Sequence, residues 1–174
     1  MMRIRPFKLS DSEHLVKWQG DERSFAQWCK GRFSYPLTVE QVHHYYREIE
    51  GNGNAWTMTA LDDSGTPVGH VLMRNADYEN ESIHIGFIII DPQSRGKGYG
   101  REMVSLVVRY SFDILKVKRV TLNVFDNNPS AHKCYKAVGF KDIKHNEAVY
   151  TFNSEKWGTF FMAIERSQGG QNMA

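Results

Sequence analysis

Ile83 to Gly100 reads IHIGFIIIDPQSRGKGYG, and this stretch decides the fold. Ile83, Ile85 and Phe87 alternate with His84 and Gly86, the two-residue period of a half-buried strand. The alternation then gives way to the apolar run Ile88-Ile89-Ile90. Gly86 at that break predicts a bulge, where the strand bends away from its neighbour. Asp91-Pro92 closes the strand. Arg95-Gly96-Lys97-Gly98-Tyr99-Gly100 follows and runs directly into a helical pattern. Such a loop delivers several backbone N–H groups to a helix N-terminus, where the dipole favours negative charge. Glycine leaves room for a phosphate to come close. The stretch therefore predicts a diphosphate cradle, with a tight strand-to-helix turn as the plainer alternative.

Two familiar phosphate loops fit poorly. A P-loop needs Gly-Lys followed by Ser or Thr, and here Gly96-Lys97 is followed by Gly98. The dinucleotide fingerprint spaces its glycines G-x-G-x-x-G, and here the third, Gly100, comes one residue early. Arg95 to Gly100 instead resembles the acetyl-coenzyme A loop of the GNAT N-acetyltransferases, Q/R-x-x-G-x-G/A, at every specified position. Downstream, Asn128-Pro129-Ser130-Ala131, then Tyr135, then Gly139-Phe140 is similar to that family's N-x-x-A…Y…G-F segment. The likeness is densest from Ile83 to Phe140 and extends weakly over Met2 to Ile164. Within the family the chain looks most like the ribosomal-protein alanine and polyamine acetyltransferases.

Composition bounds the rest. At 174 residues a single domain is the default, expected over residues 1–166, with 167–174 as a disordered tail. A net charge of +2 gives no argument for nucleic acid or an anionic membrane. No apolar run approaches the roughly 20 residues of a membrane span, and the first residues show no signal-peptide pattern. Cys29 and Cys134 form no metal or redox spacing. These features predict a cytoplasmic protein without a metal site, a monomer or homodimer.

The order of elements is mixed α/β. A first strand is expected near Met2–Lys8, at an edge because of Pro6. Ser10 or Asp11 can cap a helix carrying Leu15 and Trp18, and a short helix over Asp21–Trp28 follows. Thr38 and Gln41 form a capping pattern for a helix to about Ile49. Ala55–Leu61 and Val68–Arg74 read as strands around the turn Asp62-Asp63-Ser64-Gly65. The helix after the loop is expected from about Lys97 to Leu115, with Met103, Leu106, Val107, Tyr110 and Ile114 as its apolar stripe. Arg119–Phe125 reads as a strand, Asn128-Pro129 as a helix start, and Val149–Asn153 with Gly158–Ile164 as a final hairpin. The resemblance implies the GNAT fold: a central, mostly antiparallel sheet flanked by helices. Its two middle strands, Ile83–Ile90 and Arg119–Phe125, would splay at one end to take the cofactor's pantetheine arm.

Moving an acetyl group from a thioester to an amine needs few groups. The amine must lose a proton, and the leaving thiolate must gain one. The diphosphate of coenzyme A would rest on Arg95, Gly96, Lys97, Gly98, Tyr99, Gly100 and Arg101. Ile88 and Ile90 would offer strand edges to the pantetheine amides. Asn128, Ala131 and Tyr135 fall on one helix face. The resemblance implies that Tyr135 protonates the thiolate and that Asn128 adds a cofactor contact to its plain role as helix cap. His84 stands where related enzymes often carry Glu, and it is the candidate base; a histidine hydrogen-bonded within the sheet is the alternative. Asn123 stands where some relatives carry a Glu base. Asn cannot take a proton, but it could position a water or the acetyl carbonyl. Cys134 should turn away from the Tyr135 face. In the family, N-terminal helices wall the acceptor site, which puts some of Trp18, Phe25, Trp28, Phe33, Tyr35, Tyr45 and Tyr46 there, with Asp21, Glu22 or Glu40 to attract a cationic amine. The expected activity is acetyl-CoA-dependent transfer to a primary amine, on a protein N-terminus, a polyamine or another small molecule, by direct attack. A non-catalytic acyl-CoA-binding module with the same fold is the alternative.

Overall fold

A computed structural model describes residues 1–167; all but the first residue of the expected tail, 167–174, lies outside the described residues. Seven strands form one sheet: β1 (Arg3–Pro6), β2 (Trp56–Leu61), β3 (Pro67–Asp77), β4 (Ser82–Ile90), β5 (Arg119–Phe125), β6 (Lys141–Phe152) and β7 (Glu155–Glu165). Five helices flank it: α1 (Ser12–Lys17), α2 (Glu22–Cys29), α3 (Val39–Glu50), α4 (Tyr99–Asp113) and α5 (Pro129–Val138). The strand order is β1-β2-β3-β4-β5-β7-β6, antiparallel throughout except for β4 with β5. That single parallel pair has three rungs, Ser82–Arg119, Ile83–Val120 and His84–Thr121. Beyond His84 the two strands part, so the middle of the sheet opens as expected. Among the described residues no helix is long and apolar enough to cross a membrane.

The two sheet faces carry different cores. Ile83, Ile85, Val120, Leu122 and Met162 pack with Val104 and Val107 of α4 and with Tyr135 of α5. On the other face Phe7, Leu15, Trp18, Phe25, Val42 and Ile89 form a second cluster with the N-terminal helices. The bulge in β4 explains how one strand serves both. Leu72 pairs with Gly86 and His70 with Ile89, so Val71 alone stands opposite Phe87 and Ile88. Phe87 absorbs the extra residue at φ +47°. A one-residue insertion reverses which face each later side chain meets. Phe87 therefore leaves the face of Ile83 and Ile85, against the simple alternation, and packs at an angle against the rings of Trp28, Phe33 and Tyr45.

Several local expectations need correction. Asp11 precedes α1 but gives it no side-chain cap. Its carboxylate instead binds Arg5 at 2.7 and 2.8 Å, the Lys8 N–H at 2.9 Å and Thr59 Oγ1 at 2.7 Å. Burial would raise its pKa, but these donors outweigh burial and hold it below the usual carboxylate value. Thr38 does cap α3, accepting from the Gln41 N–H, while the Gln41 side chain turns away to Ser34 and Pro36. Ile114, expected in the α4 stripe, lies past the end of the helix and is exposed. β6 begins eight residues earlier than the hairpin pattern suggested, at Lys141, because β7 pairs with a largely exposed edge strand.

Candidate active site

Where β4 and β5 part, a cleft of about 560 Å³ opens between the loop before α4, the start of α5 and the helices α1 and α2. At one end lies the glycine loop. Gly96 and Gly98 adopt φ of +76° and +83°, which L side chains rarely tolerate, and a Cβ on either would meet nothing within 4 Å. The conformation demands glycine, and the space above it is open. Among the described residues, none of the six consecutive backbone N–H groups from Gly96 to Arg101 meets a backbone carbonyl; pairing resumes with Glu102 N–H to Gly98 O at 3.0 Å. Six free donors leading into a helix start make a strong anion cradle. Arg95, Gly96, Gly98, Tyr99, Gly100 and Arg101 all line the cleft, but the Lys97 side chain does not, so only the backbone of Lys97 remains a candidate. The Arg95 guanidinium donates to Ile90 O at 3.3 Å, which braces the loop against the end of β4.

The middle of the cleft is lined by Ile88 and Ile90 on one side and by Asn123, Asn128, Ala131 and Tyr135 on the other. Asn128 caps α5, its side chain accepting from the Ala131 N–H at 3.2 Å. Tyr135 is buried within the first core cluster, yet among the described residues its hydroxyl makes no hydrogen bond. Burial, then the neighbouring Cys134, push its pKa up, so it stays a protonated donor at neutral pH. Cys134 also lines the cleft, contrary to the expected turn away from it; burial raises its pKa, which keeps it a thiol and a poor nucleophile.

His84 stands on the last β4–β5 rung, half-buried and lining the same cleft. Its Nδ1 lies 2.9 Å from Thr121 Oγ1, whose hydroxyl reaches Ile83 O at 3.4 Å. With Thr121 donating to that carbonyl, its oxygen accepts from Nδ1–H. Nε2 then keeps a lone pair with no protein partner among the described residues. Burial, reinforced by Arg74, lowers the His84 pKa from 6.5 to about 4, so the ring is neutral at pH 7. His84 is thus hydrogen-bonded in the sheet and has a free acceptor nitrogen.

Of the aromatic candidates Trp18 and Trp28 line the cleft, together with Phe87, while Phe25, Phe33, Tyr35, Tyr45 and Tyr46 do not. Asp21, Glu22 and Glu40 do not line the cleft. Arg74, Lys30 and Gln27 do, and sequence reasoning passed over all three. Arg74 reaches the site only because β3 pairs it with His84, a neighbour ten positions away in sequence. Among the described residues no cluster of three or more His, Cys, Asp or Glu is placed to hold a metal.

This arrangement has known counterparts. The model of the acetyltransferase (GNAT) domain matches residues 2–141. The chain belongs to the GNAT acetyltransferase family. It is 38% identical over 144 residues to a spermidine N(1)-acetyltransferase of Vibrio cholerae, covering 83% of this chain and 81% of that protein. It is 33% identical over 161 residues to an N-acetyltransferase 9-like protein of Caenorhabditis briggsae, covering 86% and 79%. The crystal structure of spermidine N-acetyltransferase from Vibrio cholerae in complex with CoA and spermine superposes with a TM-score of 0.81 over 94% of this chain and 95% of that one, at 22% identity. The expectations of a GNAT fold and of an acetyl-CoA-dependent amine N-acetyltransferase both stand.

Proposed function

We propose that this chain transfers the acetyl group of acetyl-CoA directly to a primary amine, with His84 as proton acceptor and Tyr135 as proton donor. Bound acetyl-CoA supplies an acyl group activated as a thioester. The backbone N–H groups of Gly96 to Arg101 hold its diphosphate, with Arg101 adding charge, and open space above Gly96 and Gly98 lets it approach. Asn128 and Ala131 line the path between loop and sheet. His84 Nε2 takes the amine proton, directly or through water. A base of pKa about 4 is weak, so it acts as the N–C bond forms and the amine nitrogen becomes acidic. Tyr135 gives its hydroxyl proton to the departing sulfur. The observation that carries this reading is the joint lining of one cleft by the free N–H loop, the unpaired Tyr135 hydroxyl and His84.

The test is thiol release from acetyl-CoA over a panel of primary amines, with the acetylated product identified by mass. Amine-dependent release that Tyr135→Phe strongly reduces is the expected result. Tight binding of acetyl-CoA with no release for any amine would favour a binding module and overturn the catalytic reading. Spermidine belongs in the panel because relatives bear that name.

A further inference from the structure

The cleft's acceptor end carries the wrong charge for a polyamine. Its charged lining is Lys30, Arg74, Arg95 and Arg101, and no Asp or Glu lines it. Arg95 and Arg101 belong to the loop end. Arg74 does not: it pairs with His84, six residues before Ile90, which places it roughly 20 Å along the strand from the diphosphate cradle. His84 and Arg74 face the N-terminal helices, where the amine must arrive. Lys30 ends α2 on that same side and sits at φ +49°, a left-handed position that glycine would occupy with less strain. Neither Arg74 nor Lys30 has an ion-pair partner among the described residues.

Several acids of the flanking elements are engaged elsewhere, and Glu22 and Glu40 do not line the cleft. Asp21 caps α2 by accepting from the Ser24 N–H at 2.7 Å. Glu155 binds Arg23 at 2.8 Å, Glu48 binds Arg32, and Glu81 binds Lys118. A further unpaired donor lies at this end: Trp28, a lining residue, keeps its Nε1–H buried without a partner. A tri- or tetracationic acceptor would bring its charge against two free cations with no carboxylate to receive it. An acceptor that carries its own anion would satisfy them, and Arg in particular grips a carboxylate or phosphate through two parallel hydrogen bonds.

We infer that the acceptor is a small primary amine bearing an anionic group, carboxylate or phosphate, and that Arg74, aided by Lys30, binds this group beside His84. The inference rests on the acetyl-transfer reading above and narrows it. Arg74 then acts in two ways, because the guanidinium that binds the anion also pairs across the strands with His84 and adds to the burial that keeps the imidazole unprotonated.

Matched acceptors test it. β-Alanine is compared with β-alaninamide, O-phosphoethanolamine with ethanolamine, and each with spermidine, by thiol release at saturating acetyl-CoA. The anionic member of at least one pair should exceed both its neutral partner and spermidine in kcat/KM by about 10- to 100-fold, the worth of one charge-assisted contact. The winning pair names carboxylate or phosphate. Arg74→Glu should reverse the anionic-over-spermidine preference, chiefly through KM, and Arg74→Lys should keep part of it. Acetyl-CoA affinity, measured by calorimetry on each variant, reports whether the variant is folded. Turnover of spermidine above every anionic amine, or a preference that Arg74→Glu does not move, overturns the inference and leaves acetyl transfer standing. Absence of acetyl-CoA binding, or binding with none of the five amines turned over, overturns the transfer reading and the inference with it.

Discussion

The two ends of the cleft are built in opposite ways. The loop end, the proposed cofactor end, is backbone: six N–H groups on consecutive residues, held in shape by two left-handed glycines. The proposed acceptor end is side chains drawn from separate elements, with Trp18 from the end of α1, Trp28 from α2, Arg74 from β3 and His84 from β4. The first can be encoded in one short motif, because every donor is a chain neighbour of the next. The second exists only once the sheet has formed. The cofactor end should therefore fail through single backbone changes, and the acceptor end should change by degrees.

The sharpest way to break this contrast is Gly98→Glu. It places a strained residue at φ +83° and a carboxylate where the diphosphate belongs. Like charges brought together cost several kcal/mol, so acetyl-CoA affinity should fall on the order of 10³-fold by calorimetry. The core face of α4 is untouched, so the far-ultraviolet spectrum should stay native. Unchanged affinity would remove the loop from the site. Tyr135→Phe comes next. It deletes one unpaired hydroxyl and keeps the ring in its core cluster, so kcat should drop roughly 10²-fold with little change in thermal stability. Activity near wild type would leave Tyr135 as packing alone.

His84 links the two ends, and its test is pH. With a pKa of about 4 it is already deprotonated throughout the neutral range. The rate should show no ionisation near 6.5, the unperturbed value, and His84→Gln should lower kcat/KM about 10- to 100-fold at neutral pH. Stability carries the same signature. Folding lowers the His84 pKa, so below pH 6.5 the unfolded chain takes up a proton that the native site refuses. Stability is whole above 6.5 and declines as pH falls toward 4. His70, buried against Tyr45 with its pKa lowered to about 3 by burial, extends the decline further. His84→Gln should therefore lose less melting temperature between pH 7 and 5 than the wild type. Equal losses in both proteins would mean that His84 is not held neutral by the fold.

Legibility in the sequence followed the same divide. The strand, loop and helix of residues 83–113 were readable because their signals are local: alternation, paired glycines, a 3.6-residue stripe. The side on which Phe87 lies was not, because the bulge falls one residue past the glycine that hinted at it, and that single step reverses the later facing. The first half of β6 was hidden by its composition: Lys141, Asp142, Lys144 and His145 are exposed, and only pairing with β7 makes them a strand. Arg74 gave no sign at all. Nothing in Met73-Arg74-Asn75 marks a site, and its neighbour His84 is set by antiparallel register across a connection that carries no motif of its own.

Asn128 offers the finest test, because it lies between the two ends and serves structure through one atom while offering another. Its side-chain oxygen caps α5, and its amide nitrogen has no partner among the described residues. Asn128→Ala removes both and should cost about 1 kcal/mol of stability, the usual worth of a cap. Asn128→Ser restores a capping oxygen and should return stability to within a few tenths, but it cannot replace the amide N–H. If that N–H binds the cofactor, both variants should lose acetyl-CoA affinity by a similar factor, about fivefold for one hydrogen bond. The comparison of Ser with Ala separates the two roles: stability divides the variants, and affinity groups them. A Ser variant matching wild type in both measurements would make Asn128 a cap only. The cradle of Gly96 to Arg101 would then hold the diphosphate without help from α5.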